Sequence, residues 1–105
     1  MKIDEFISLI LNKQFVEAHE VLEHDWKELK KAGEKDKAKF IQGLINGTTA
    51  IALFYKGREV AFLKVWSTFQ KYKPLIDSIE LDNKEKYKEA INILEMEYTK
   101  TRINK

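Results

Sequence analysis

The segment from Phe40 to Tyr55 carries no charged residue, although 34% of the 105-residue chain is charged. A membrane span needs about 20 mostly apolar residues, and this segment is shorter and also contains Gln42, Asn46 and Thr49. A run of this length and composition is typical of a helix that lies inside a globular core. The segment is therefore predicted to be a buried helix surrounded by other helices.

The remaining chain is predicted to form further helices, because no segment alternates apolar and polar residues long enough for a strand. Gly33 and Gly57 suit the left-handed caps that end the second and third helices, and Pro74 ends the fourth. The predicted helices run from Asp4 as N-cap to about Leu11, from Phe15 to Lys31, from the polar run 34–37 to Lys56, from Arg58 to Tyr72, and, after a short turn, from a capping box at 82–85 to about Thr101. Short connections favour antiparallel neighbours, so the predicted fold is all-α: a compact bundle of about five helices with a buried central third helix.

Composition limits the classes of partner. A chain of this length is predicted to be a single helical domain, 1–105. The net charge is only +2 and basic residues are interleaved with acidic ones, so neither nucleic acid nor a membrane is expected as a partner. The absence of Cys fits a reducing compartment, and Asp4 and Glu5 stand where a signal peptide would be positive. A cytoplasmic monomer or homodimer is therefore expected.

The second predicted helix concentrates the titratable residues, including both histidines of the chain. At 100° per residue, His19 lies at the edge of the apolar stripe, with Glu23 and Trp26 one and two turns further on. Glu20 points about 160° away from the stripe. Outward positions are predicted for the other titratable residues of this stretch: Glu17, His24 and Asp25. Only one histidine is thus expected to be partly buried.

The third helix carries polar side chains on one face, with Gln42 and Asn46 four residues apart. Buried amides need hydrogen-bond partners, because an unsatisfied one costs about 1 to 3 kcal/mol. Gly43 and Gly47 form a smooth strip on which another helix can approach closely. If that neighbour is the second helix, its histidine and glutamate are expected to hydrogen-bond to the two amides.

A paired imidazole and carboxylate could do several kinds of chemistry. Glu23 could orient His19 as a general base, or the two could supply two metal ligands. The metalloprotease pattern would need His at position 23, and the inverted pattern would need it where Glu20 stands. The structural alternative is a satisfied, partly buried His19 beside a polar seam that fixes the helix register. No metal, cofactor or catalytic residue is assigned.

Two blocks, FVEAHEVLE at 15–23 and FIQGLI at 40–45, occur with Trp26 between them. In this order and spacing they resemble the family of small uncharacterised prokaryotic proteins known as domain of unknown function 309, over roughly positions 15 to 65. The resemblance implies a compact helical bundle and no particular activity. Asn46 stands where the family usually shows Gln. The signature positions that the resemblance implies are His19, Glu20, Glu23, Trp26, Gln42 and Gly43.

The resemblance supports pairing of the second and third helices. It also makes Glu20 a candidate site residue although the helical wheel points it outward, and a helix packed against Val16 and Glu20 would reconcile the two. The favoured function is a non-catalytic helical module that binds a small molecule or a protein through a polar cluster between these helices. The alternative is a small acid–base or metal-assisted hydrolase that uses His19 and Glu23. The candidate polar site comprises His19, Glu20, Glu23, Trp26, Gln42 and Asn46.

Overall fold

The computed structural model describes residues 2–103. This part of the chain contains five α-helices and no strand. The helices are α1 (Lys2–Leu11), α2 (Phe15–Lys31), α3 (Lys35–Tyr55), α4 (Glu59–Tyr72) and α5 (Lys84–Ile103), with a short 3-10 helix at Lys73–Asp77 between the last two. The all-α prediction is confirmed. Within this range no helix is both long enough and apolar enough to cross a membrane.

The helix ends agree with the predicted stops, with two differences at helix starts. Gly33 and Gly57 have φ of +76° and +79°, so both adopt the left-handed conformation expected after a helix. Asp4 is not an N-cap, because α1 already begins at Lys2 and places Asp4 in its first turn. The residue that directly precedes α5 is Asn83, with φ of +60°, and not Asp82.

The α3 helix is central, as its uncharged sequence predicts. It contacts α2, α4, α5 and the 3-10 helix, whereas α1 packs against α2 and α5. The hydroxyl of Thr48 is fully buried and donates to the Leu44 carbonyl oxygen at 2.9 Å, so this polar group is satisfied within the helix. Fully or almost fully buried apolar residues of α3 include Phe40, Ile41, Leu44, Ala50 and Ile51.

The glycine strip of α3 faces α4 and not α2. A Cβ atom added at Gly43 would lie 2.9 Å from the Tyr72 Cβ atom, and one added at Gly47 would lie 2.9 Å from Phe69 Cδ1. The absence of side chains thus allows α4 to approach α3 closely. The expectation that the strip serves the α2 contact is wrong.

An ion pair between an exposed lysine and a buried glutamate joins the turn after α1 to α5. The Glu97 side chain on α5 is largely buried, and Lys13 donates from Nζ to Glu97 Oε1 at 3.1 Å. Tyr55 at the end of α3 donates from its hydroxyl to Glu97 Oε2 at 3.5 Å. Lys13 has φ of +60°, a position that glycine occupies after α2 and α3. Lysine adopts this left-handed conformation less readily than glycine does, but its ammonium group supplies the counter-ion of Glu97.

Replacing Lys13 by methionine is expected to lower the free energy of unfolding by about 1 to 2 kcal/mol, because Glu97 loses its closest cation while remaining buried. Hydrogen bonds to Glu97 and Tyr55 raise the pKa of Lys13 above 10.5. The stabilisation is therefore present below pH 10.5 and is lost as the pH rises through this raised pKa. Urea unfolding at neutral and strongly alkaline pH measures both effects. Lys31→Met, at an exposed position on α2, is the control and should cost little.

Candidate functional site

His19 and Glu23 lie side by side on α2, as their spacing predicts. His19 Nε2 is 3.6 Å from Glu23 Oε2, and both side chains are partly exposed. This distance is longer than that of a normal hydrogen bond. The contact is an ion pair only when the imidazole is protonated, because a neutral imidazole carries no charge. Lys27 Nζ lies 3.4 Å from Glu23 Oε1 and shares the same carboxylate. The glutamate is therefore held between two cationic or potentially cationic neighbours along one helix.

Gln42 and Asn46 are half-buried on α3. Neither amide has a hydrogen-bond partner among residues 2–103, so the expected bonds to His19 and Glu23 are not formed. The physical reason is the rotation of α3. Each amide directly precedes an α4-facing glycine, which places it about 100° around the helix from that contact, on a partly solvated side. Their hydrogen-bonding groups are left for water or a ligand.

Trp26 and Gln42 line the same cleft, which has a volume of about 300 Å³ and lies where α2 ends and α3 begins. We name it the Trp26 cleft. Lys30 Nζ lies 4.5 Å from the centroid of the Trp26 ring, a cation–π contact. Two further lysines contribute to the lining and no carboxylate does. The complete lining is Trp26, Lys30, Gly33, Lys35, Ala38, Lys39 and Gln42.

Glu20 and His24 are exposed, and so is Val16, at 52% of its surface. No helix therefore packs over Val16 and Glu20, and the expectation that a neighbour buries them is wrong. The α1 helix contacts α2, and the buried stripe of α2 that contains Ala18 and Leu22 is part of the hydrophobic core. Glu20 is a solvated residue within the described part of the chain.

Sequence reasoning missed Asp25, which the helical wheel assigns to a solvated face. Asp25 is half-buried, and this burial raises its pKa, while the charges of Lys2 and His24 oppose the rise. Asp25 lines a second cleft that also contains Tyr87. We name it the acidic cleft, after its four carboxylates: Asp25, Glu28, Glu80 and Asp82. No local pattern could reveal it, because residues 80–87 complete it from far along the chain.

A metal site is not evident in the side-chain arrangement. No group of three or more His, Asp or Glu side chains within the described range 2–103 is placed to hold a metal ion. His19 and Glu23 would supply two ligands, whereas a catalytic zinc usually has three protein ligands. His24, the other histidine, is exposed and cannot complete the set.

Comparison with family models gives a match over more than half of the chain. The model of the family described as domain of unknown function (DUF309) matches residues 3–65, which include all six positions of the candidate polar site and also α1. No curated protein matches this chain, and no solved structure does. The α5 helix, with Glu97 and Tyr87, lies outside the matched region.

Proposed function

Because this chain belongs to the DUF309 family, whose description names no reaction, we propose a function from the chemistry of its own side chains. The proposed function is non-catalytic binding of a small anionic ligand in the Trp26 cleft. The observation that carries this proposal is Gln42, a half-buried amide that has no hydrogen-bond partner among residues 2–103 and lines the same cleft as Trp26. An amide in this position offers both a donor and an acceptor to a ligand.

The charge of the cleft favours an anion. Lys30, Lys35 and Lys39 line it, and none of the three has an ion-pair partner within the described residues. Three ammonium groups without a lining carboxylate attract and bind a negative group. The Trp26 ring adds an apolar surface on which a planar ligand can stack. A volume of about 300 Å³ is at the lower end of the usual range for ligand sites, about 300 to 1,000 Å³, which favours a small metabolite.

Replacing Gln42 by leucine is expected to weaken binding about tenfold, since one ligand hydrogen bond is lost and a polar ligand group is left unpaired. Calorimetric titrations with inorganic phosphate and adenosine monophosphate measure the effect. Gln70→Leu, the same substitution at an exposed position of α4, is the matched control and should bind like the wild type. The proposal fails if neither probe binds the wild type, or if both variants weaken binding equally.

The second candidate is an acid–base or metal-assisted hydrolase, and the observation that favours it is the 3.6 Å approach of His19 Nε2 to Glu23 Oε2. Hydrolysis of a chromogenic ester that disappears in His19→Ala, while the melting temperature is unchanged, would favour this candidate over binding alone. The binding proposal also has a second version, in which the polar cluster between α2 and α3 binds a protein partner in place of a small molecule. We also propose a cytoplasmic location in a prokaryote, supported by the motif resemblance and the cysteine-free sequence.

A further inference from the structure

The acidic cleft is a separate site with a charge opposite to that of the Trp26 cleft. It has a volume of about 490 Å³, lies between α2, α3 and the segment that precedes α5, and shares no lining residue with the Trp26 cleft. Its four carboxylates face a single ammonium group, that of Lys37, although the whole chain has a net charge of +2. The local field is therefore negative on a weakly positive protein.

The carboxylates of this cleft form no close ion pair within residues 2–103, and the charges of Lys2 and His24 act on Asp25 only from a longer distance. Asp25 and Glu28 belong to α2, and Glu80 and Asp82 belong to the segment that precedes α5. None of the four has a hydrogen bond or an ion pair among residues 2–103. For Asp25 this is costly, because the carboxylate is half-buried. A cationic ligand would offset that cost.

Tyr87 provides a second, independent observation. Its side chain is only 8% exposed, and its ring packs edge-on against Phe40, with the ring centroids 6.0 Å apart. The hydroxyl group has no hydrogen-bond partner within the described residues, yet the residue lines the cleft. Burial, followed by the charges of Asp25 and Asp82, raises the pKa of Tyr87, so the phenol stays protonated at neutral pH. Because most of the side chain is buried while the hydroxyl oxygen stays accessible, this hydroxyl is available to a hydrogen-bonding ligand in the cleft.

The arrangement of the oxygens selects the kind of cation. The carboxylates do not converge closely enough for three of them to hold a metal ion. Separated acceptors suit a cation with several N–H donors, spaced by a chain that can lie on the apolar lining residues Leu29, Ile41 and Leu81. We propose that the acidic cleft binds a linear aliphatic diamine or polyamine, with its ammonium groups on the carboxylates and an N–H group donating to the Tyr87 hydroxyl.

Titration of the full chain with 1,4-diaminobutane and spermidine at low salt tests this proposal. The wild type should bind both, and Tyr87→Phe should weaken binding about fivefold without a change in melting temperature, because the hydroxyl has no protein partner to lose. Asp25→Asn should weaken binding about tenfold, again without loss of thermal stability. Glu20→Gln removes the same charge from an exposed position of α2 and is the matched control.

Three results would overturn the proposal. The first is that Mg²⁺ at equal ionic strength competes as well as the diamine, which would indicate general attraction of cations. The second is that Glu20→Gln weakens binding as much as Asp25→Asn does. The third is that Asp25→Asn lowers the melting temperature and Tyr87→Phe leaves the affinity unchanged. Neither probe needs the Trp26 cleft, so failure here leaves the anionic ligand site unaffected.

Discussion

Replacing Phe62 by alanine is expected to lower the free energy of unfolding by about 3 to 5 kcal/mol. Phe62 on α4 is fully buried, and its ring centroid lies 5.3 Å from that of Phe54 on α3 and 5.8 Å from that of Tyr98 on α5. The guanidinium of Arg102 covers the same ring at 5.4 Å. Truncation therefore removes a contact that three helices share. Urea unfolding followed by circular dichroism measures the loss.

Leu63→Ala is the control for this prediction, because the next residue of the same helix is 41% exposed. It should cost less than about 1 kcal/mol, since little apolar surface returns to water. The slope of unfolding free energy against urea should stay the same in both variants, which would show that the change lies in stability and not in the compactness of the unfolded chain. Equal losses in the two variants would contradict the buried position of Phe62.

Helix positions could be predicted from sequence because the controlling interactions are local. The α2 helix spans Phe15–Lys31, as the polar turns and Gly33 on either side indicate. A positive φ at Gly33 and Gly57 is a property of the residue type, so those stops need no knowledge of neighbours. The turn at Lys13 has the same backbone shape without glycine. The lysine at this turn pairs with Glu97, which is far away in the sequence, so a local pattern does not reveal its role.

In the candidate site too, contacts within one helix could be predicted from the sequence, whereas contacts between helices could not. His19 and Glu23 are four residues apart on one helix, so their proximity follows from helix geometry alone. Hydrogen bonds from this pair to Gln42 and Asn46 depend on how α3 is rotated, and a helical wheel does not show which neighbour approaches the glycine strip. Asp25 shows the same limit, because the cleft that it lines is completed by Glu80, Leu81, Asp82 and Tyr87.

Polar side chains of both clefts share one physical property. Gln42 and Tyr87 are at least half-buried and lack hydrogen-bond partners among residues 2–103, and Asp25 has neither a hydrogen bond nor an ion pair there. Their polar atoms stay accessible, so each of them can still bond to water or to a ligand. The two clefts differ in sign: three lysines and no carboxylate line one, and four carboxylates and one lysine line the other. Under the two proposals, one small bundle has separate sites for an anion and for an organic cation.

Replacing Gly47 by valine is expected to lower the free energy of unfolding by about 2 to 3 kcal/mol. A Cβ atom at this position would lie 2.9 Å from Phe69 Cδ1 and 3.2 Å from Leu94 Cδ1. Both neighbours are almost completely buried, so neither can move aside without displacing α4 or α5. Valine is a slightly better helix former than glycine, but this gain is only a few tenths of a kcal/mol. Urea unfolding measures the net loss.

Asn46→Val introduces the same side chain one residue earlier, on the partly exposed side of α3, and is the matched control. It should change the unfolding free energy by no more than about 0.5 kcal/mol, because asparagine and valine have similar helix propensities. A large difference between the two variants would establish that α4 is seated on the glycine strip. That seating is what turns Gln42 and Asn46 away from α4. Equal costs in the two variants would mean that α3 is rotated differently. Gln42 would then not line the Trp26 cleft.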